Sequence, residues 1–174
     1  SKIAAIQDYN TYLPSVMDFT LHDAIIVAFN ENEQGWDKGM SKVYENFVND
    51  FLYPDIDNIL VFAGNHDTNR INGNGLYNGN LAKYKLAMTL VLTTRGIPQL
   101  YYGDEIGMAG NRDTDGDGDI RRDFPGGWKG DVVNAFDKPT KEQKAYHDFT
   151  KKLLNYRKNK EVLHNGKLLQ YVPE

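Results

Sequence analysis

The stretch that decides the fold is Asn58-Ile59-Leu60-Val61-Phe62-Ala63-Gly64-Asn65-His66-Asp67-Thr68-Asn69-Arg70-Ile71, in which an apolar run stops at a cluster of polar side chains. Residues 59–62 are large and apolar without polar alternation, which is typical of a strand buried on both faces of a parallel sheet. In parallel α/β folds, functional side chains lie at the carboxyl ends of strands. We therefore identify His66 and Asp67 as a candidate functional pair. The alternative is that the short polar residues here only satisfy backbone groups of the loop.

Composition restricts the classes of function. The 174 residues are 40% hydrophobic and contain no cysteine, so one globular domain is expected and disulfide or thiolate chemistry is excluded. The 20 basic and 24 acidic residues give a formal charge of −4, without the basic stripe of a nucleic-acid-binding protein. No apolar run approaches the ~20 residues of a membrane span. We expect neither nucleic acid nor a membrane as partner, and the compartment stays open.

Strands and helices are predicted to alternate along the chain. The patterns predict strands at 16–21, 58–63 and 97–102, and helices at 36–52, 80–94 and 140–159 with Thr140 as N-cap. Residues 1–15 lack periodicity and are expected to be loop. The Gly- and Asn-rich residues 72–79 are expected to form a loop that either covers a site or only connects. This alternation favours βαβ units with right-handed crossovers in a parallel sheet.

An acidic segment, Asp113-Thr114-Asp115-Gly116-Asp117-Gly118-Asp119-Ile120, resembles the start of an EF-hand loop. Position twelve of that loop would be Phe124, where calcium binding needs a bidentate Glu. We therefore predict no high-affinity calcium site and no metal or other cofactor, with a calcium site as the alternative.

Two families place a Gly-Asn-His-Asp sequence after a strand. Calcineurin-like metallophosphoesterases also need upstream Asp-x-His and Gly-Asp-x-x-Asp motifs, and neither occurs here. In the α-amylase family of glycoside hydrolases, a similar segment follows the seventh barrel strand. The chain resembles that family at three positions in order, which are residues 18–21 at the sixth strand, 62–67 at the seventh and 96–108 at the eighth.

The resemblance covers roughly residues 16–160 and is greatest to neopullulanase and cyclomaltodextrinase-like enzymes. It implies an α/β fold, a partial (β/α)8 TIM barrel with strands six to eight and their helices. Residues 1–162 are then the C-terminal part of the catalytic barrel. Residues 163–174 are a linker and, at 168–172, the first strand of a C-terminal β-domain.

The resemblance also implies roles for individual residues. Asp67 is expected to stabilise the transition state, and His66 to bind a sugar hydroxyl beside it. Asn65 and Arg70 are also assigned to substrate binding, although Arg70 could instead stabilise the loop or pair with a carboxylate. Arg121, Arg122 and Trp128 either border the sugar site or are structural.

The implied activity is retaining hydrolysis of α-glucosidic bonds in starch-like glucans or maltooligosaccharides. The nucleophile and the acid/base of this family come from the fourth and fifth strands, which have no counterpart here. The chain alone is therefore expected to be inactive and, through its open strand edges, to self-associate. A non-catalytic carbohydrate-binding or calcium-stabilised module is the alternative.

Overall fold

The computed structural model describes residues 2–31, 35–73 and 78–171, and these divide into two compact units. The first unit takes its described residues from Ser1–Ala63, Leu86–Gln99 and Arg157–Glu174, and the second from Gly64–Lys85 and Leu100–Tyr156. The centre of the predicted loop at 72–79, residues 74–77, lies outside the described residues.

A small parallel sheet forms the core of the first unit. Strand β1 (Leu60–Val61) pairs in parallel with β2 (Ile97–Pro98), and Met17 forms a parallel bridge to Leu60 on the other side. Ile59, Val61 and Phe62 are fully buried, which agrees with the prediction of a buried strand. The order of Met17, β1 and β2 in the sheet follows the chain, as expected for parallel strands joined by helices.

The strand predicted at 16–21 is wrong beyond Met17. Helix α1 (Lys2–Tyr12) precedes this segment, and α2 (Phe19–Asn30) begins where the strand was expected to continue. The Asp18 carboxylate accepts a hydrogen bond of 2.9 Å from the backbone N–H of Leu21, so Asp18 is the N-cap of α2. An N-cap satisfies N–H groups that the first helical turn leaves unpaired, and this favours the helix over an extended chain.

Two more predictions need correction. Residues 1–15 were expected to be loop, but α1 forms there, and its Tyr9 and Tyr12 side chains are mostly exposed. The helix predicted at 36–52 is limited to α3 (Ser41–Phe47), followed by a 3₁₀ turn at Asp50–Leu52. Val43 is buried, whereas Phe51 is 81% exposed, so the predicted apolar face has no core to contact beyond α3.

The helix predicted at 80–94 is confirmed as α4 (Leu81–Thr93). Its residues 81–85 belong to the second unit and 86–93 to the first. The buried side chains recur at helical spacing: Tyr84, Ala87, Met88, Val91 and Leu92. Leu86 is 55% exposed, so the burial covers one face of the helix rather than most of its circumference.

The second unit continues after β2 with short helical turns and one long helix. These are a 3₁₀ turn at Asp104–Ile106, α5 (Arg112–Asp115), α6 (Asp117–Ile120) and α7 (Lys141–Lys158). Helix α7 confirms the prediction at 140–159, and the Thr140 hydroxyl accepts a hydrogen bond from the N–H of Gln143 as an N-cap does. Tyr84 reaches α7 through a buried hydroxyl contact of 2.7 Å with Thr150.

The last described residues form α8 (Val162–Asn165) and then neither helix nor strand through Tyr171. The strand predicted at 168–172 is thus not formed over residues 168–171, and Val172 lies outside the described residues. The Gln170 side chain instead donates to the backbone carbonyl of Tyr44 at 3.2 Å. The domain boundary at 162/163 stays a prediction. Across the described ranges, no helix combines the length and apolarity needed to cross a membrane.

We expect Gly96→Ala to destabilise the chain by more than about 2 kcal/mol, because it combines a left-handed backbone with a steric clash. Gly96 has φ +87, and a Cβ there would lie 2.5 Å from the Ile59 carbonyl oxygen. Gly39 is the matched control, with φ +57 and only an ordinary contact at 3.9 Å. Gly39→Ala should cost about 1 kcal/mol in urea unfolding. Equal losses would contradict the close approach of Gly96 to β1.

Candidate functional site

The turn that follows β1 is shaped by two of its own polar side chains. The Asn65 carboxamide oxygen accepts a hydrogen bond of 2.8 Å from the N–H of Asp67, and the Thr68 hydroxyl accepts one of 2.9 Å from the N–H of Asn65. Asn65 and Thr68 thus satisfy backbone groups of the loop, as the structural alternative expects, and the substrate-binding role of Asn65 stays a prediction. The Asp67 side chain makes no such bond to its own loop and remains available for other contacts.

His66 and Asp67 are brought together on the surface of the second unit, as the sequence predicts. Their side chains are 59% and 50% exposed, and His66 Nε2 lies 3.2 Å from Asp67 Oδ2. The other carboxylate oxygen, Oδ1, accepts a hydrogen bond of 3.0 Å from Arg121 Nη2. The pair thus presents a carboxylate and an imidazole that can bind hydroxyl groups of a neutral ligand.

Arg121 and two residues that the sequence analysis did not identify as partners surround this pair. Arg121 Nη2 also lies 3.0 Å from Asp117 Oδ2. Arg112 donates from Nε to Asp117 Oδ1 at 2.6 Å and from Nη1 to the Asp67 carbonyl oxygen at 3.2 Å. The hydrogen bond from Arg112 lowers the pKa of Asp117. We call Asp67, Arg112, Asp117 and Arg121 the arginine–carboxylate cluster.

The two other residues that were left open have different surroundings. Arg122 donates to Asp119 and to the Ala109 carbonyl, and Trp128 is 66% exposed. Neither side chain contacts Asp67 or His66. The sequence left open whether Arg121, Arg122 and Trp128 border the site or are structural. Of these three residues, only Arg121 contacts the His66–Asp67 pair.

The acidic segment at 113–119 forms helical turns, α5 and α6, rather than a loop with its carboxylates turned inward. Its carboxylates have protein partners: Asp113 accepts from Asn69, Asp117 from Arg112, and Asp119 from the N–H of Asn111. Across residues 2–31, 35–73 and 78–171, no three His, Asp or Glu side chains are grouped as metal ligands. The absence of a high-affinity calcium site stays a prediction.

Arg70 and Asn65 are buried, so neither presents a surface for the substrate contact predicted for them. Arg70 is 0% exposed and donates from Nε to the Ile120 carbonyl at 3.0 Å and from Nη1 to the Tyr102 carbonyl at 2.7 Å. Its Nη1 also lies 3.5 Å from Asp104 Oδ1. Both open alternatives for Arg70, loop stabilisation and pairing with a carboxylate, therefore describe its contacts. Asn65 is 1% exposed.

The guanidinium of Arg70 is also covered by aromatic rings. Its central carbon lies 4.4 Å from the ring centroid of Tyr101 and 4.8 Å from that of Tyr102. Such contacts stabilise a desolvated cation. Arg70 thereby connects the turn after β1 to the segment after β2 and to the end of α6.

Burial changes the protonation of the acid beside Arg70. Removal from water raises the pKa of Asp104 from its ordinary value of 3.8 to about 7, although the charge of Arg70 acts in the opposite direction. Desolvation disfavours the charged form of a carboxyl group, and the 3.5 Å separation from Arg70 compensates for only part of that cost.

A cavity of about 400 Å³ also lies in the second unit, away from the His66–Asp67 pair. It is lined by residues from 100–105 and from α7, among them Leu100, Tyr101, Leu154 and His147. Its walls are mainly apolar. Because a sugar site needs hydrogen-bonding groups that converge on hydroxyls, we locate the candidate site at His66 and Asp67 instead.

Comparison with known proteins gives a consistent result. The profile described as the catalytic domain of alpha amylase matches residues 2–131. A beta/alpha-amylase of Paenibacillus polymyxa is 34% identical over 115 residues, which are 63% of this chain and 9% of the relative. A cyclomaltodextrinase of Thermoanaerobacter pseudethanolicus is 32% identical over 154 residues, which are 87% of this chain and 23% of the relative.

Solved structures agree. The alpha-amylase of Geobacillus thermoleovorans, determined in complex with acarbose, superposes with a TM-score of 0.69 at 26% identity and covers 94% of this chain. The match takes in 33% of that structure. The chain thus spans a third or less of the length of each of these proteins.

We expect Asp104 to make the stability of the chain depend on pH. Its carboxyl has a higher pKa in the folded state, about 7, than in the unfolded state, so the folded state retains the proton between pH 4 and 7. Stability from this group is therefore complete below pH 4 and is lost as the pH rises through 7.

Asp104→Asn keeps the shape of the side chain but cannot ionise. From pH 4.5 to 7.5, the unfolding free energy of the unmodified chain should fall relative to that of the variant by at least about 1 kcal/mol. Urea unfolding at the two pH values measures the difference. Parallel pH dependence of the two proteins would contradict the raised pKa.

Proposed function

The chain belongs to the α-amylase family, and we propose that it forms strands six to eight of the (β/α)8 barrel in a retaining enzyme that hydrolyses α-glucosidic bonds in starch-like glucans. The small parallel sheet supports this, since Met17, β1 and β2 lie in parallel in chain order. In this proposal they correspond to the sixth, seventh and eighth strands. The similarity to a cyclomaltodextrinase and to an amylase solved with acarbose supports a maltooligosaccharide-like substrate.

The observation that carries the proposal is the half-exposed Asp67 carboxylate in the turn after the buried strand β1. Its two neighbours, His66 and Arg121, occupy one position on each oxygen. A carboxylate offers about four lone-pair positions, so each oxygen can still accept a hydrogen bond from a sugar hydroxyl. His66, 59% exposed, supplies a second hydroxyl ligand.

In this mechanism, Asp67 acts on the transition state rather than on the bond that breaks. Hydrogen bonds to sugar hydroxyls strengthen as the ring gains oxocarbenium character, so they lower the activation barrier more than they favour ground-state binding. Asn65 and Arg70 contribute by fixing the turn, because both are buried.

Retaining hydrolysis further needs a nucleophile and an acid/base about 5 to 5.5 Å apart. In the α-amylase family these carboxylates follow the fourth and fifth strands. We place both outside residues 1–174, which is supported by the chain matching 33% of the Geobacillus amylase.

We expect Asp67→Asn, in the full-length protein, to lower kcat on a maltooligosaccharide by several orders of magnitude while folding is retained. The change preserves side-chain shape on a half-exposed residue. His66→Ala should cost about 1 to 3 kcal/mol in transition-state stabilisation, since it removes one hydroxyl contact. Asp123→Asn, an exposed acid in the same unit, is the control and should change kcat less than about twofold. Near-normal turnover by Asp67→Asn would refute the role of Asp67.

The 174-residue chain by itself should show no glycosidase activity and should self-associate. Within the described residues, no strand pairs with the outer edge of β2, and Ile97 on that strand is 42% exposed. Unpaired strand edges favour pairing with another chain. Light scattering over a concentration series and a chromogenic maltoside assay on the same sample test the two parts. A folded monomer at high concentration contradicts the first, and turnover that copurifies with the chain contradicts the second.

A further inference from the structure

We propose that Arg121 is a positioning residue that holds the Asp67 carboxylate in the orientation needed for catalysis. The inference rests on the proposed function and adds a residue that acts through Asp67 rather than on the substrate. It is carried by the arginine–carboxylate cluster, defined above as Asp67, Arg112, Asp117 and Arg121.

The first observation is that one guanidinium makes three contacts. Arg121 donates from Nε to the His66 carbonyl oxygen at 2.9 Å, and its Nη2 lies 3.0 Å from both Asp67 Oδ1 and Asp117 Oδ2. A guanidinium is planar, so contacts from Nε and Nη2 fix its orientation relative to the turn. The Asp67 carboxylate is then bound to a group that is itself anchored on the backbone of its neighbour.

The second observation is that Asp117, the other carboxylate that contacts Arg121, is itself bonded to Arg112. Asp117 accepts from Arg112 Nε at 2.6 Å, and Arg112 Nη1 donates to the Asp67 carbonyl at 3.2 Å. The N–H of Arg112 donates to the Asn69 side chain at 2.6 Å, and the N–H of Arg70 donates to the Gly110 carbonyl at 3.1 Å. The segment that carries Arg121 is therefore bonded repeatedly to the turn that carries Asp67.

A single exposed ion pair would not support this inference, since such pairs contribute little. Here the two arginines and two aspartates alternate and balance in charge, and backbone carbonyls complete the cluster. Arg121 is 42% and Asp67 50% exposed, so both remain accessible to solvent and ligand. Because Arg121 contacts only Oδ1, it leaves room on the carboxylate for sugar hydroxyls.

Direct binding of the sugar by Arg121 makes different predictions. A positioning residue loses its effect once Asp67 is changed, whereas a direct ligand contributes regardless of Asp67. A direct ligand lost on substitution also raises KM, while a misaligned transition-state group lowers kcat. A double-mutant cycle between positions 121 and 67 separates the two roles.

The experiment uses the full-length protein and four variants: Arg121→Gln, Arg121→Lys, Asp67→Asn and the double variant of Arg121→Gln with Asp67→Asn. Arg122→Gln is the matched control, because Arg122 neighbours Arg121 but contacts Asp119 and Ala109. The measurements are kcat and KM on a maltooligosaccharide, the Kd for maltotriose by calorimetry and the thermal midpoint.

We expect Arg121→Gln to lower kcat roughly 10- to 100-fold with KM changed less than about threefold, since misplacement of a catalytic group by about 1 Å has such effects. Arg121→Lys keeps the positive charge but not the planar guanidinium, so its kcat should lie between those of the unmodified protein and Arg121→Gln. The control Arg122→Gln should keep the kcat of the unmodified protein. Arg121→Gln should keep the thermal midpoint of the unmodified protein. The double variant should bind maltotriose no more weakly than Asp67→Asn.

Three results would overturn the inference. If the losses in maltotriose affinity add in the double variant, or if Arg121→Gln raises KM and leaves kcat unchanged, Arg121 does not act through Asp67. If Asp67→Asn itself turns over normally, the proposed function fails and the positioning role fails with it. If Arg121→Gln unfolds, Asp117→Asn serves instead, because it removes the charge of one of the two groups that anchor Arg121 and should also lower kcat.

Discussion

Burying a guanidinium is costly unless most of its N–H groups find acceptors, and each unit of this chain contains one buried arginine whose Nε and Nη1 groups both find them. In the first unit, Arg95 pairs with both oxygens of Asp50, at 2.9 and 2.6 Å, and with Asp18 at 2.9 Å. In the second unit, Arg70 takes two carbonyl oxygens and lies beside Asp104. Since leaving such a charge unpaired costs several kcal/mol, the segments that supply these acceptors stay together.

The two arginines serve different ends. Arg95 follows α4 and binds the N-cap of α2, so it fixes where helices begin around the small sheet. Arg70 comes three residues after Asp67 and is covered by Tyr101 and Tyr102, so it fixes the turn from beneath while His66 and Asp67 stay on the surface. A binding site for a neutral ligand needs this combination of a rigid buried support, here Arg70, and exposed polar side chains, here His66 and Asp67.

Features encoded by neighbouring residues could be predicted from the sequence. The apolar run that buries Ile59, Val61 and Phe62 and the helices α4 and α7 depend on local patterns and were predicted. The functional role of the His66–Asp67 pair stays a prediction. Residues 19–21 were assigned to a strand because their composition permits it, while one hydrogen bond from Leu21 to Asp18 starts a helix there. A single capping bond does not show in an apolar pattern.

Long-range contacts could not be predicted. The acceptors of Arg70 lie 32 to 50 residues away, and Arg121 reaches Asp67 across 54 residues. Arginine is a residue type that is mostly exposed, so nothing local indicates that Arg70 is buried. The family motif assigns binding roles to residues at strand ends. It therefore predicted substrate binding for Arg70, whose side chain instead contacts Tyr102, Asp104 and Ile120 of the chain itself.

The turn at 65–68 has a consequence for how such proteins diverge. Its shape depends on the side chains of Asn65 and Thr68, whereas His66 and Asp67 add no side-chain bond that closes it. Descendants of an enzyme of this kind can therefore exchange positions 66 and 67, lose one chemistry and acquire another, while the polypeptide still folds. Substitution at those two positions alone would leave a folded relative without the carboxylate and the imidazole of the proposed site.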